Sequence, residues 1–218
     1  YEYSVCFADF QTQGRGRGSN QWLSPYGSGI CFSVIGSLYS KSSPLGLSIY
    51  CGIIIARALR DLGYSGASLK WPNDLLHGGK KLGGILVELT SQSQDYYSFN
   101  IGVGINYDIG SDLNSMGQNL FPPTDLLKIN HDLSLCRSEM SGILARTVIE
   151  SLKKFNQRSI QSAFKFWPEY DALFEKEVKI IEENDILEGK NIGIDHTGAL
   201  LLDDNGVIKK VYNGHLVI

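Results

Sequence analysis

What this sequence lacks narrows the reading before any motif is considered. No apolar run approaches the ~20 residues that a membrane-spanning helix needs. The longest, Ile49 to Ala56, stops at Arg57, so no membrane partner is expected. Cysteine is sparse and scattered: Cys6, Cys31, Cys51 and Cys136 form no C-x-x-C, and His77, His131, His196 and His215 form no H-x-x-x-H pair. That argues against a structural metal site and for reduced, mostly buried thiols in a cytoplasmic protein. Neither sign of charge dominates, since 20 Lys and Arg face 23 Asp and Glu for a net of −3. Bulk attraction to nucleic acid or anionic lipid is thereby excluded, and any affinity for anions must come from a local cluster. The chain starts at Tyr1 without a basic and apolar leader, so no signal peptide is expected, and the missing initiator Met points to a start inside a longer sequence.

What is present is a chain of 218 residues, enough for one sizeable domain with a small appendage. Residues 3–10 read as a strand, followed by a polar Gly/Arg/Ser/Asn loop. Ile30 to Leu38 reads as a buried strand, and Ser43-Pro44 opens a helix ending near Gly63 whose wide apolar face suits a sheet. A strand from about Ser68, interrupted at Trp71-Pro72-Asn73-Asp74, reaches a Gly78-Gly79 turn and a second strand, Leu82 to Leu89; Tyr97 to Tyr107 reads as a third. The Gly/Asn/Ser/Pro-rich segment from Asp108 to Asp125 has the length of an active-site lid. One amphipathic helix is expected from Ser138 to Arg158, and a shorter one before Trp167-Pro168. Beyond Phe174, short strands with turn signals indicate a β appendage. The fold class is α+β: a mixed sheet with helices on one face in residues 1–174, then a small β domain in 175–218.

Three segments carry candidate chemistry. In Gly14-Arg15-Gly16-Arg17-Gly18, glycines permit close backbone approach while two arginines project together; such a loop either wraps a small anion or is an ordinary basic loop. In the second, a two-residue turn at Gly78-Gly79 pairs His77 with Lys80, Leu76 with Lys81 and Asp74 with Gly83. Lys81, Gly83 and Asp74 then share a face, with lysine diagonal to carboxylate and a glycine leaving room for a ligand, whereas Lys80 is solvated. In the third, the glycines of Gly102-Val103-Gly104-Ile105-Asn106 weaken a strand unless something must approach it closely, either a ligand or a packed element.

Taken in order, GRGRGSNQWLSPYGSGI, LKWPNDLL, KKLGGILVEL and NIGVGIN resemble the catalytic domain of biotin protein ligases, or biotin–[acetyl-CoA-carboxylase] ligases, and the tail from about Glu175 resembles that family's SH3-like β-barrel domain. The resemblance implies a class II synthetase-like sheet and an ATP-dependent ligase. Biotin's carboxylate would attack the α-phosphorus of ATP to give biotinyl-5′-adenylate, and a lysine of the biotin carboxyl carrier protein would take the biotinyl group. It implies Arg17 and Lys81 as catalytic residues, with Gln11, Gly14, Arg15, Gly16, Arg17, Lys81, Gly84, Leu86, Gly102, Gly104 and Ile105 at biotin. Arg15, Arg17, Asn73, Asp74 and Asn106 fall to the nucleotide, and Asp74 to Mg²⁺, since a carboxylate suits a hard cation. Trp22 and Trp71 are read as pocket walls or packing, and the segment 108–125 as the loop closing over the adenylate. Gly18 and Asn20 stand where some relatives carry arginine. The family's Ser-Thr-Asn biotin element is expected upstream of this chain. A helix-turn-helix like that of bifunctional members is not among these residues, so no DNA binding is expected of them, while a homodimer is admitted. The alternatives are a lipoate–protein ligase of the same fold and a non-catalytic module that binds biotin or adenylate.

Overall fold

The computed structural model describes residues 3–39, 44–92, 96–110, 121–131, 135–182 and 185–218. Six strands form the first sheet: β1 (Ser4–Ala8), β2 (Gly29–Tyr39), β3 (Ala67–Lys70), β4 (Asp74–His77), β5 (Lys80–Gln92) and β6 (Tyr96–Asn106), in the order β1-β2-β6-β5-β4-β3. All five pairings are antiparallel. Among the described residues, parallel geometry, for which the expected mixed sheet allowed, is confined to isolated bridges of Leu69 with Asp171 and Lys81 with Pro123.

The alternation along β6 decides which face is which. Tyr97, Phe99, Ile101, Val103 and Ile105 are buried on one side, and Ser98, Asn100, Gly102 and Gly104 occupy the other. Their β2 partners repeat the division: Ile30, Phe32 and Val34 lie opposite Ile105, Val103 and Ile101, with Cys31 and Ser33 opposite Gly104 and Gly102. The apolar side receives α1 (Pro44–Asp61), which packs on β5 and β3, and α3 (Arg137–Lys153), which packs on β2. The small-residue side borders a cavity. Ser43, expected to cap α1, lies outside the described residues.

The helix expected over 138–158 is broken into α3 and α4 (Gln157–Phe164), because Asn156 takes an extended conformation and its Oδ1 accepts hydrogen bonds from the amides of Arg158 and Ser159. An amide side chain of this kind favours a helix start over a helix interior. Two short helices complete the layer: α2 (Leu126–Ile129), and α5 (Trp167–Tyr170), which takes Pro168 into its first turn. Of the four thiols, Cys31 and Cys51 are buried as expected of core cysteines, whereas Cys6 and Cys136 are exposed; all four are free.

Five strands make the second sheet: β7 (Glu177–Glu182), β8 (Asp185–Ile194), β9 (Leu200–Asp204), β10 (Val207–Val211) and β11 (His215–Val217), in the order β10-β9-β8-β7-β11. It is wholly antiparallel and consistent with an SH3-like fold. A buried carboxylate ties it to α5: Asp171 accepts from Trp167 Nε1 at 2.9 Å, Asn191 Nδ2 at 2.8 Å and the Leu173 amide at 3.0 Å. Trp71, fully buried, donates from Nε1 to the Gly198 carbonyl at 3.0 Å, so it is packing between the sheets and not a pocket wall.

The β4–β5 hairpin departs from expectation in one consequential way. Gly78 and Gly79 both have positive φ, as a two-residue primed turn requires, and His77–Lys80 and Leu76–Lys81 pair as expected. Leu75 then pairs with Gly83 and Asp74 with Gly84, leaving Leu82 as an extra residue in β5. One inserted residue reverses the faces beyond it. Gly84, Leu86 and Glu88 consequently join Lys81 at the open face, and Gly83 does not. Gly83 instead lies so close to β6 that a Cβ there would sit 2.4 Å from the Gly104 carbonyl oxygen. Gly83→Ala is therefore expected to cost about 2–3 kcal/mol and lower the thermal midpoint by roughly 5–10 °C. Gly84→Ala, whose nearest neighbour would be 3.7 Å away, should melt near wild type. Equal melting of the two variants in calorimetry would contradict this register.

Candidate functional site

A cavity of about 610 Å³ opens on the small-residue face. Its floor is Gly102 and Gly104 of β6 with Gly84 and Leu86 of β5. Gly84 and Gly102, with no side chain beyond hydrogen and no close neighbour, leave room for a ligand against the backbone. One wall is the loop 11–22, a narrow antiparallel strap whose stem is fixed by the bridges Gln11–Ser24 and Arg15–Gln21. At its tip the Gly16 amide donates to the Asn20 carbonyl at 2.7 Å. The opposite side is built from the β3–β4 connection and from residues 214–217 of the second sheet.

Among the described residues, four cations and two carboxylates line this cavity: Arg15, Arg17, Lys70 and Lys81, with Asp74 and Glu88. Asp74 sits between two lysines, its Oδ1 2.7 Å from Lys81 Nζ and its Oδ2 2.9 Å from Lys70 Nζ. Asp74 and Lys70 are largely withdrawn from solvent, with side chains 13% and 12% exposed, while Lys81 is 39% exposed. Burial works against the charged Asp74 carboxyl, but the Lys81 and Lys70 ammoniums outweigh it and hold the group below its ordinary pKa. Arg15 meets Glu88 with both ends of its fork, at 2.7 and 2.8 Å. Arg17 donates from Nη1 to the Gly214 carbonyl at 3.0 Å and from Nη2 to Asn213 Oδ1, with its guanidinium 5.9 Å from the Trp71 ring centroid. Burial lowers its pKa, and the charges of Asp74 and Glu182 oppose that shift; an arginine remains cationic regardless. The surplus of positive charge suits a polyanion.

Of the residues singled out in the sequence, Gln11, Arg15, Gly16, Arg17, Asn73, Asp74, Lys81, Gly84, Leu86, Gly102 and Gly104 meet at this cavity. Three do not line it. Gly14 belongs to the stem of the strap, where its carbonyl accepts from the Trp22 amide at 2.9 Å. Ile105 is fully buried on the helix side, as the alternation of β6 dictates. Asn106 donates from Nδ2 to the Thr124 carbonyl at 2.9 Å; Thr124 in turn donates its amide to the Lys81 carbonyl at 2.9 Å, so Asn106 braces the backbone behind that lysine. Trp22 does line the cavity, its ring lying against Gly104. Residues 111–120 of the expected lid lie outside the described residues. Both oxygens of Asp74, the residue expected at Mg²⁺, meet ammonium groups, and no cluster of three His, Cys, Asp or Glu occurs among the described residues.

The sequence reading missed Lys70, Glu88, Asn100 and the stretch 214–217, all of which line the cavity. Lys70 was findable: once residues 67–77 are read as a hairpin, it stands directly opposite Asp74. Because the Asp74 carboxyl is depressed in the folded chain, its contribution to stability is present above about pH 4, the ordinary range of an unfolded aspartate, and is lost as pH falls through the lower folded value. Asp74→Asn is expected to cost about 1–2 kcal/mol in urea unfolding at pH 7, with the gap from wild type closing below about pH 4. A penalty independent of pH would contradict the ion-pair assignment.

Comparison with known proteins fits this geometry. Residues 1–106 match the biotin/lipoate A/B protein ligase family, and residues 173–215 match the biotin protein ligase C-terminal domain. The chain is 34% identical over 213 residues to the bifunctional ligase/repressor BirA of Escherichia coli (strain K12), covering 97% of this chain and 65% of BirA. It is 29% identical over 223 residues to BirA of Bacillus subtilis (strain 168), covering 99% of this chain and 66% of that protein. The chain thus spans about two thirds or slightly less of these curated relatives. A biotin protein ligase from Aquifex aeolicus, solved in complex with biotin and ATP, superposes with a TM-score of 0.79 at 28% identity, over 98% of this chain and 87% of that one. Two family matches in series, a shared fold and 34% identity along most of its length agree that the chain carries a biotin/lipoate A/B protein ligase domain followed by a biotin protein ligase C-terminal domain, and that it is homologous to the biotin protein ligases.

Proposed function

We propose that this chain is an ATP-dependent biotin protein ligase, with residues 1–174 as the biotin- and ATP-binding part and 175–218 as a small β part that completes the cavity. The observation that carries the reading is the convergence of Arg15, Arg17, Lys70 and Lys81, drawn from the strap, β3 and β5, on a cavity floored by glycine. In the first step an oxygen of biotin's carboxylate bonds to the α-phosphorus of ATP as pyrophosphate leaves. In the second, a lysine amine of a biotin carboxyl carrier protein attacks the carbonyl of this mixed anhydride and AMP leaves. Both reactants of the first step are anions, so the site must offset their repulsion and meet the charge that builds on the phosphorus.

Arg17 and Lys81 supply that charge in this reading, with Arg15 at the mouth. Gly84, Gly102, Gly104 and Leu86 admit the apolar rings and valeryl chain, Gln11 and Gly16 contact biotin, and Asn73 stands on the nucleotide side. Lys81 is released to the ligand without a new buried charge being stranded, because Lys70 still neutralises Asp74. No metal ligand is assigned to Asp74. The second step needs no dedicated base in this scheme, the anhydride being a reactive acyl donor held beside its acceptor. The match of residues 173–215 to a biotin protein ligase domain favours biotin over lipoate. A cytoplasmic setting is part of the same proposal and accords with four free thiols.

Biotin-dependent exchange of pyrophosphate into ATP is the test. Wild type should catalyse it with biotin and not with lipoate. Lys81→Ala and Arg17→Ala should each lose about 100-fold or more in kcat while keeping their circular dichroism. Exchange driven by lipoate, tight biotin binding without exchange, or variants with near wild-type rates would each refute the proposal.

A further inference from the structure

The turn 212–214 does more than carry the chain from β10, at one edge of the second sheet, to β11 at the other. It supplies both acceptors of the Arg17 guanidinium, the Gly214 carbonyl and Asn213 Oδ1, on two different Nη atoms. A single acceptor leaves a guanidinium free to swivel, whereas two fix its plane. The turn is itself held firmly. Gly214 has φ 118°, and a Cβ there would lie 2.5 Å from Ile180 Cγ2, so the backbone is pressed against β7 with no room for another residue. Arg17, by contrast, sits at the tip of a strap anchored at its stem, where a long side chain without partners carries roughly 2 kcal/mol of rotamer entropy. The rigid partner is therefore the second sheet, and the mobile one is the arginine.

We infer that Asn213 is a positioning residue: it acts through Arg17, fixing the guanidinium at the cavity so that the remaining N–H groups meet the charge developing on the α-phosphorus. The inference rests on the ligase reading for its kinetic consequence, but not for the contact. Asn213 is itself exposed, so replacing it unpacks nothing. Its loss leaves Arg17 with one acceptor and a wider range of orientations, which affects the transition state, where alignment counts, more than ground-state binding.

Two measurements on the full chain separate the contact from its consequence. Labelling of Arg17 by phenylglyoxal, followed peptide by peptide in mass spectrometry, should run about threefold faster or more in Asn213→Ala than in wild type, while Asn213→Asp, which keeps the acceptor oxygen, should stay protected. Biotin-dependent pyrophosphate exchange should fall about fivefold to tenfold in kcat for Asn213→Ala, with KM for ATP and biotin within about twofold. In an Arg17→Ala background the Asn213→Ala change should cost nothing further, whereas a general structural role would persist there. Unchanged labelling, an unchanged kcat, or an equal loss in the Arg17→Ala background would overturn the inference. A wild-type chain inactive with biotin would refute the ligase reading instead, leaving the labelling result to decide the contact by itself.

Discussion

Gathering several cations in one cavity before any ligand arrives is a constraint the rest of the molecule must satisfy. Two unit charges 4 Å apart at the effective dielectric of a protein surface interact by about 4 kcal/mol, so unscreened lysines and arginines would drive one another out to solvent. Here each cation has a partner within the fold. Asp74 takes Lys70 and Lys81, Glu88 takes Arg15, and the neutral acceptors of the 212–214 turn take Arg17. The choice of partner sets what each cation can do next. A lysine sharing its carboxylate with a second lysine can turn to a ligand while that carboxylate stays neutralised. An arginine with two neutral acceptors keeps its full charge for an incoming anion.

Holding these pairs in place falls to the register of β5. The extra residue at Leu82 carries Gly84, Leu86 and Glu88 to the face that Lys81 occupies, and it sets Asp74 opposite Gly84, where no side chain separates the carboxylate from the cavity. A regular ladder would have pointed Glu88 into the helix layer and left Arg15 without its counter-charge. The floor has a matching requirement, because Gly83 must tolerate the Gly104 carbonyl while the ring of Trp22 lies against Gly104. Small residues at 83, 84, 102 and 104 are thus of two kinds. Gly83 lets two strands close up, and Gly84 and Gly102 leave space for something else.

Local chemistry made much of this readable in the sequence. The Gly78-Gly79 turn, the alternation of residues 96–106 and the apolar stretch from Ile49 each follow from periodicity and turn preference, which a linear sequence carries directly. The resemblance of four short motifs to biotin protein ligases located most of the cavity. What escaped depends on contacts between distant segments. A bulge is invisible until the partner strand is known, and so is a cap such as Asn156 when the flanking residues keep helical spacing. Ile105 was placed at biotin because a motif does not say which way a strand faces, and Asn106 because a polar residue beside a glycine floor looks like a ligand contact until its own acceptor, the Thr124 carbonyl, is seen.

The second sheet illustrates the same limit and shows why a β appendage belongs to the site. Nothing in residues 175–218 suggested chemistry, since the segment has no glycine-rich loop and no pair of cations facing an acid. Its contribution is positional. Asp171 gathers donors from Trp167, Leu173 and Asn191 at the joint between α5 and β8. Burial pushes its carboxyl upward in pKa, and the three hydrogen bonds offset part of that shift while tying the joint together. Trp71 crosses the same joint to the Gly198 carbonyl, and Arg17 crosses the cavity to Gly214. A sheet fixed at two buried points can hold a third point, the 212–214 turn, at a constant distance from the strap. Arg17 gains from this a rigid reference that its own loop, anchored only at the stem, does not provide.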